Sequence, residues 1–356
     1  MSVVKQSIGV DVSKDDFYVR ILFQFQGSTE VRKHRGVKKF SNTNSGFIKL
    51  HEWLKKYTVQ DAPMVIAMEA TGVYHEALAY FLFEHGYFVS VQLSTKVNAF
   101  AKSHNLHNKT DVSDAEIIAR LVSERKLVAW RPPTKSIRRL RALTRQYQAI
   151  TESKTVTQNQ LHAMEHSALV DDQVCMRYRE IIALFKRQLK QIELEIRQLA
   201  RQDELLDNVL RLLMTIPGVA LKTAAVIAAE TGCFQLFDSR AQLVKFSGMD
   251  VVERQSGSSV RGRSSISKRG NSRIRRALFM PSLSYVKDDG VFGQLYQRVY
   301  QRTMIKKKGL IAVQRKLLVV MYAIVKNGTA YDPRLHQRRC QKEVGKPKLA
   351  YRDSIN

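Results

Sequence analysis

Ser7-Ile8-Gly9-Val10-Asp11 is a short apolar run that ends in an acid, and Val65-Ile66-Ala67-Met68-Glu69 repeats the pattern further along the chain. Short apolar runs bounded by polar residues are typical of buried strands. Each run therefore predicts a strand whose last residue carries a carboxylate. Two more acids, Asp111 and Asp114, begin a stretch with helical periodicity. Their spacing of three lets both carboxylates lie on one face of that helix.

The first 130 residues alternate between strand and helix patterns. Residues 8–10 and 18–25 predict a hairpin, and a third strand near 30–35 completes a meander. Further strands are predicted at 64–68 and 87–91, and helices at 47–57, 75–85, 96–103 and 112–126. A meander followed by alternating helices and strands indicates an α/β fold, a mixed sheet with helices on its faces.

The rest of the chain reads as helical after the Pro132-Pro133 break. Residues 137–166 and a 4-3-4 apolar spacing around 185–199 predict two long helices paired antiparallel. We interpret them as a packed spacer, although the same spacing could mediate oligomerisation. Ile216-Pro217-Gly218 predicts a helix-hairpin-helix whose turn offers backbone N–H groups to a phosphate, with a simple packing corner as the alternative. The tail after 333 is expected to be a mobile basic arm.

The net charge of this 356-residue chain is +27. Such an excess favours a polyanionic partner, and it favours nucleic acid over a membrane surface. The longest apolar run, 317–325, is far too short to span a bilayer. No signal peptide opens the chain, and three widely separated cysteines form neither a disulfide framework nor a zinc motif, so we expect a cytoplasmic protein.

Four carboxylates gathered at strand ends and a helix start would repel one another without a cation. Carboxylate oxygens suit Mg²⁺ or Mn²⁺, and two such ions can clamp the attacking and leaving oxygens of an in-line displacement. The predicted ligands are therefore Asp11, Glu69, Asp111 and Asp114. For a single acid at a strand end, a turn or capping role is the simpler interpretation. Asp15 and Glu116 are nearby acids that could support the ligands.

A second group of residues lies between Arg254 and Arg276, where eight side chains are basic and none is acidic. A flexible phosphate-binding loop is one interpretation. The other makes a serine the nucleophile, with arginines holding the phosphoryl oxygens. The candidate nucleic-acid contacts are Arg254, Arg261, Arg263, Lys268, Arg269, Arg273 and Arg276, together with Arg138 and Arg139 at helical spacing, where a solvated helix face is the alternative.

Five motifs occur in a fixed order along the chain. They are Ile8-Gly9-Val10-Asp11, Glu69-Ala70-Thr71-Gly72, Asn108-Lys109-Thr110-Asp111-Val112-Ser113-Asp114-Ala115, Ile216-Pro217-Gly218 and Gln255-Ser256-Gly257-Ser258-Ser259-Val260-Arg261-Gly262. Together they closely resemble the DEDD-type insertion-sequence transposases, which include the bridge-RNA-guided recombinases and the pilin-gene invertase. The resemblance covers roughly residues 7–333, and the combination is more specific than any single motif.

This resemblance implies a domain order: a RuvC-like, RNase H-type domain at 1–130, a coiled-coil linker at 131–206, a mainly helical transposase domain at 207–333 and a basic tail at 334–356. It implies that the four acids bind magnesium and that Ser256 is the nucleophile, with Ser258 and Ser259 as neighbouring alternatives. It also implies a tetramer, a dimer of dimers, with sites shared between subunits. The partners would be donor and target DNA and a bridge non-coding RNA, in a bacterial cytoplasm and at the nucleoid.

Two alternatives remain at this point. A junction-resolving nuclease would use the carboxylates and water, but it has no use for a second, serine-rich loop. A non-enzymatic nucleic-acid-binding protein would explain the net charge, but it gives no reason to place four acids where they repel the ligand.

Overall fold

A computed structural model describes residues 2–28, 30–104, 110–252 and 265–334, and the backbone of 255–256 and 260–261. The chain forms two compact units, one up to Pro132 and one from Pro133 onward. The boundary lies at the Pro132-Pro133 break. The finer division into three domains and a tail stays a prediction.

The first unit is built on a mixed sheet, with six strands among the described residues. The strands are β1 (Val3–Val12), β2 (Asp16–Phe25), β3 (Val31–Lys33), β4 (Lys38–Ser41), β5 (Met64–Glu69) and β6 (Phe88–Gln92). Their order is β3-β2-β1-β5-β6, with β4 also paired to β2. The meander is antiparallel, whereas β1, β5 and β6 run parallel. The predicted mixed α/β sheet is confirmed.

Helices cover both faces of this sheet. They are α1 (Asn44–Tyr57), α2 (Glu76–Glu84), α3 (Ser94–Ser103) and α4 (Asp111–Glu124). Ile8 and Ile66 point to a core shared with α1 and α2, where Leu50 and Leu78 are fully buried. Ala67 lies on the opposite face, packed with apolar side chains of α3 and α4. Successive residues of a strand alternate between these two faces, so the position of a residue along β1 or β5 decides which face its side chain joins.

The second unit is mainly helical. Its helices are α5 (Lys135–Glu165), α6 (Asp172–Arg201), α7 (Glu204–Met214), α8 (Leu221–Thr231), α9 (Arg240–Ser247), α10 (Ser272–Ala277), α11 (Phe279–Ser284), α12 (Val291–Thr303) and α13 (Lys306–Asn327). Four two-residue strands lie between α9 and α10 in the described chain: β7 (Val251–Val252), β8 (Gln255–Ser256), β9 (Val260–Arg261) and β10 (Ser265–Ile266). One apolar core runs through this unit from Ile137 to Ile324.

The long helices α5 and α6 lie antiparallel, as the apolar spacing predicts. Tyr147 in the first half of α5 donates a hydrogen bond to Glu193 in the second half of α6 (2.9 Å). Arg179 near the start of α6 pairs with Glu165 at the end of α5 (2.7 Å). Ile192 and other apolar residues of α6 join the core of the unit. The role of this pair as a linker stays a prediction.

The predicted helix-hairpin-helix corresponds to α7, a Pro-Gly turn and α8. Gly218 has φ of +77°, a left-handed conformation that favours glycine. The Tyr285 hydroxyl donates a hydrogen bond to the Pro217 carbonyl, which ties the turn to the helix that follows α11. Ala220 begins α8 without a side-chain cap, so no side chain competes for the backbone N–H groups there. Across the described ranges, no helix has the length and apolarity needed to cross a membrane.

Candidate active site

Asp11 and Glu69 lie at the same end of neighbouring parallel strands. The register of β1 and β5 pairs Ile8 with Ile66 and Val10 with Met68. Asp11 and Glu69 are the next residues on each strand. Because the strands are parallel and about 4.8 Å apart, consecutive positions stay side by side at the edge of the sheet.

Both carboxylates belong to the face covered by α4. A Cβ atom added to Gly9 would lie 2.2 Å from the Ala115 carbonyl oxygen, so Gly9 faces α4 directly. Asp11 is two residues after Gly9, and Glu69 is two residues after Ala67, which packs against α4. The period of two along a strand therefore directs both acids to the α4 side.

Helix α4 runs antiparallel to β1, and this direction decides where its acids lie. The Lys5 ammonium, near the start of β1, donates a hydrogen bond to the Ser123 carbonyl at the end of α4 (3.1 Å). Gly9 contacts the middle of the helix. The two steps of β1 from Gly9 to Asp11 rise about 7 Å. Going from Ala115 and Ala119 towards the N-terminus of α4, one to two helical turns cover a similar distance. The first turn of α4 therefore lies at the end of β1 that carries Asp11.

A capping box defines this first turn. The Thr110 hydroxyl accepts a hydrogen bond from the Ser113 backbone N–H (3.2 Å), and the Ser113 hydroxyl accepts one from the Thr110 N–H (2.9 Å). Asp111 and Asp114 follow the cap immediately. Asp111 is exposed, whereas Asp114, like Asp11 and Glu69, is half-buried. Four acids predicted from the sequence thus come to one end and one face of the sheet.

The four side chains are not closed around one point. Within the residues that the structure describes, no three His, Cys, Asp or Glu side chains converge closely enough to hold a metal ion. The donor set itself fits Mg²⁺ or Mn²⁺, because it consists of carboxylates alone. The four acids therefore have the ligand chemistry that suits a divalent ion and share one edge of the sheet, but their side chains do not form a metal site in this arrangement.

Glu116 lies one turn further along α4 and serves a different purpose. Its carboxylate contacts Lys33 (2.7 Å), Arg120 (2.9 Å) and Arg20 (3.3 Å). Burial acts to raise the pKa of Glu116, but these three cations outweigh burial and the pKa lies below its usual value. The ion pairs with β2 and β3 hold α4 against the sheet. Asp15 is exposed.

The serine loop is described only in part. The backbone of Ser256 lies in β8, opposite Val260 of β9, in a short antiparallel hairpin. Its side chain and that of Arg261 are not described, and Arg254, Arg263, Ser258 and Ser259 lie outside the described residues. The strands β7 and β10, which precede and follow this hairpin, pair with each other.

Among the candidate nucleic-acid contacts that the structure describes, the first group consists of two arginines in exposed ion pairs. Arg139 pairs with Glu195 (2.6 Å) and Arg276 with Glu152. Lys268, Arg269 and Arg138 are exposed, and Arg273 is half-buried. Exposed ion pairs are weak, so the first group can still exchange a carboxylate for a phosphate.

A buried carboxylate that contacts Asn271, at the start of α10, was missed by sequence reasoning. Glu230 is 4 % exposed and receives hydrogen bonds from Arg145 (3.1 Å) and from the Asn271 amide (2.7 Å). Burial acts to raise its pKa, but these partners and Arg141 outweigh burial and lower it. Asn271 also caps α10, so Glu230 joins α5 and α8 to the segment that follows β10. The only sequence signal was a single acid in the apolar stretch of α8.

Comparison with known proteins identifies the family of this chain. A family model described as a DEDD transposase of the IS110 type matches residues 8–166, and one described as the transposase IS116/IS110/IS902 family matches 210–297, which together exceed half of the chain. A pilin gene-inverting protein of Moraxella bovis is 28% identical over 94% of this chain and 99% of its own length. The transposase for insertion sequence element IS1328 of Yersinia enterocolitica is 24% identical over 91% and 98%.

Among solved structures, T. thermophilus RuvC in complex with a Holliday junction substrate has a TM-score of 0.23 and 13% identity, over 37% of this chain and 85% of that one. The family models cover both the carboxylate region and the helix-hairpin-helix region that precedes the serine loop. The chain therefore belongs to the DEDD-type IS110 transposases, a family of DNA recombinases.

Proposed function

We propose that this recombinase moves or inverts its own DNA element by cutting and rejoining donor and target DNA through a phosphoserine at Ser256. The observation that supports the proposal is the common edge of β1, β5 and α4, where the four acids that we propose as the DEDD set lie on one face of the sheet. A RuvC-like, RNase H-type role for the first unit is part of the proposal, and the mixed sheet supports it.

The proposed step conserves bonds. The Ser256 hydroxyl oxygen attacks a scissile phosphorus, and the bond from phosphorus to one deoxyribose oxygen breaks. The serine proton passes to water, and the departing deoxyribose oxygen takes up a proton from water, so that protons as well as bonds balance. The phosphodiester becomes a phosphoserine diester, so the reverse attack by another strand end rejoins DNA without ATP.

The carboxylates Asp11, Glu69, Asp111 and Asp114 would hold Mg²⁺ or Mn²⁺, which supplies charge for the phosphoryl oxygens and lowers the pKa of the attacking hydroxyl. The cations that flank the serine loop would bind the phosphate backbones on either side of the scissile bond. Glu116 and Lys5 would keep α4, and with it two of the acids, in register with β1.

We further propose that a bridge RNA reads donor and target DNA by base pairing, while the protein holds backbones. The net charge of +27 supports a large polyanionic partner of this kind. The assembly would be a tetramer in which the carboxylates of one subunit act with Ser256 of another.

Mixing variants tests the shared site and the carboxylates together. Asp11→Ala and Ser256→Ala proteins should each be inactive in strand exchange, and a mixture of the two should regain activity because one intact site can assemble. Asp15→Ala is the matched control, since Asp15 is exposed and lies outside the four-acid set. Full strand exchange by Ser256→Ala, or by Asp11→Ala, would remove that residue from the mechanism.

Co-purification tests the guide. RNA bound to the purified protein should be one structured species encoded beside the element, and exchange should stop when this RNA is removed and return when it is added back. Exchange at an undiminished rate by RNA-free protein would contradict guidance and leave the serine chemistry intact.

A further inference from the structure

A cavity of about 570 Å³ lies in the second unit, between the β7 and β10 strands and the start of α13. Its apolar lining comes from Met249, Val251, Ile266, Leu295, Ile305, Ile311, Ala312 and Val319. The volume is in the range of sites that bury a small ligand or one unit of a polymer. The proposed chemistry at Ser256 makes no use of this cavity.

The charged residues that line the cavity are all cations: Lys268, Lys307, Lys308, Arg315 and Lys316. Among the residues that the structure describes, none of the five side chains forms an ion pair or a hydrogen bond. Five cations around one opening repel one another. A ligand that brings negative charge would relieve this repulsion.

The local sequence of α13 increases the electrostatic cost. Lys306, Lys307 and Lys308 fill the first turn, and Ile305 at the N-cap position provides no side-chain hydrogen bond. The N-terminal end of a helix already carries partial positive charge, so lysines there are unfavourable. Positions that break such a rule without local compensation are often functional.

The combination of an apolar lining and a cationic rim selects the ligand. A nucleotide has a base with apolar faces and a phosphate, whereas a paired base inside a duplex offers only its edge and its backbone. We propose that this cavity takes one unpaired nucleotide of a bound strand, with its base against Ile311, Ala312 and Val319 and its phosphates on the surrounding cations. Such pockets receive extruded bases between apolar side chains.

The position of the cavity gives this nucleotide a purpose. The β7 and β10 strands that line it are the strands before and after the Ser256 hairpin along the chain. A base held here would anchor a strand beside the loop that carries the proposed nucleophile, without reading its sequence. The inference rests on the proposed DNA chemistry for its biological purpose, but the binding site can be tested alone.

The test compares two single strands of about 20 units, one of thymidines and one of abasic tetrahydrofuran units, by fluorescence anisotropy with the full-length protein. The wild type should bind the thymidine strand more tightly. Ala312→Trp, which fills the cavity, should reduce this preference by about tenfold while leaving the abasic affinity unchanged. Ile311→Ser, at a half-buried position, should also reduce the preference for the thymidine strand. This variant replaces Ala312→Trp in the test if the tryptophan variant does not fold.

Charge variants separate phosphate from base contacts. Arg315→Gln should weaken both strands by the same factor, and Lys190→Gln, on the exposed side of α6, should weaken neither. Ser256→Ala should keep the full preference for bases, so loss of the serine mechanism would leave this site standing. An unchanged preference in both cavity variants would overturn the proposal. A competition experiment could also overturn it. If an acidic leucine–glutamate peptide displaced the thymidine strand from the wild type but not from Ala312→Trp, the cavity would be a peptide site and not a nucleotide site.

Discussion

Gly9→Ala should damage both the stability of the first unit and its chemistry. The added Cβ would lie 2.2 Å from the Ala115 carbonyl oxygen and 2.3 Å from the Ala119 nitrogen. Both are backbone atoms of α4, so no rotamer change can relieve the contact. Helix and strand must separate by roughly 1.2–1.8 Å for the 2.2 Å contact to reach ordinary van der Waals distance.

Overpacking of this kind costs about 1–3 kcal/mol in the free energy of unfolding, which calorimetry of the full-length protein should record as a melting transition lower by roughly 4–10 °C. The displacement also moves Asp111 and Asp114 away from Asp11 and Glu69. A catalytic group misplaced by about 1 Å loses on the order of 100-fold in rate, so metal-dependent strand cleavage should fall by a similar factor.

Gly36→Ala is the matched control, because a Cβ at Gly36 meets no atom within 4 Å. It should leave melting and cleavage unchanged. If Gly9→Ala melted and cleaved like the wild type, α4 would not pack directly on Gly9, and the four acids would not share one edge of the sheet.

Two further substitutions test a helix cap in the first unit and a buried carboxylate in the second. Thr110→Ala removes the N-cap of α4, so it should lower the free energy of unfolding in urea by about 1 kcal/mol and should also abolish strand exchange. Thr43→Ala removes the N-cap of α1, so it should lower the free energy of unfolding by a similar amount but leave strand exchange intact. Exchange lost equally in both would contradict a special role for α4. Glu230 has a pKa below its usual value of 4.5 in the folded protein, so its contribution to stability is present above that pH and is lost as pH falls through the folded pKa. Glu230→Gln should therefore flatten the acid side of the stability profile, and an unchanged profile would show that Glu230 is not responsible for it.

The strands of the sheet could be predicted from the sequence, because alternating patterns and short apolar runs both depend on local periodicity. The 18–25 pattern became β2, and the two runs ending in Asp11 and Glu69 became parallel neighbours. β4 was not predicted, since Lys38-Lys39-Phe40-Ser41 has a single buried residue and owes its pairing to β2. The third strand is shorter than predicted, Val31–Lys33, and all three residues are exposed.

In the candidate site too, local features could be predicted from the sequence whereas long-range contacts could not. The four acids were chosen as candidates from their positions at element ends, whereas their placement at one edge of the sheet depends on Gly9, whose missing side chain lets α4 approach β1. Nothing in the local sequence states which helix will use that space. Arg141 and Arg145 share a helical row with Arg138, and this spacing makes them candidate phosphate contacts, with a solvated helix face as the alternative. They instead meet the Ala229 carbonyl and Glu230, about 85 residues away along the chain, where periodicity carries no information.

The measurement that bears most directly on the mechanism is the site of covalent attachment. The full-length protein is incubated with its RNA, donor and target DNA and Mg²⁺, quenched in denaturant and digested with nuclease and protease, and the peptides are sequenced by mass spectrometry. We predict a nucleotide on Ser256, formed only with a divalent ion and absent in Asp11→Ala. Strand cleavage without any adduct, or an adduct confined to Ser258 or Ser259, would contradict this assignment.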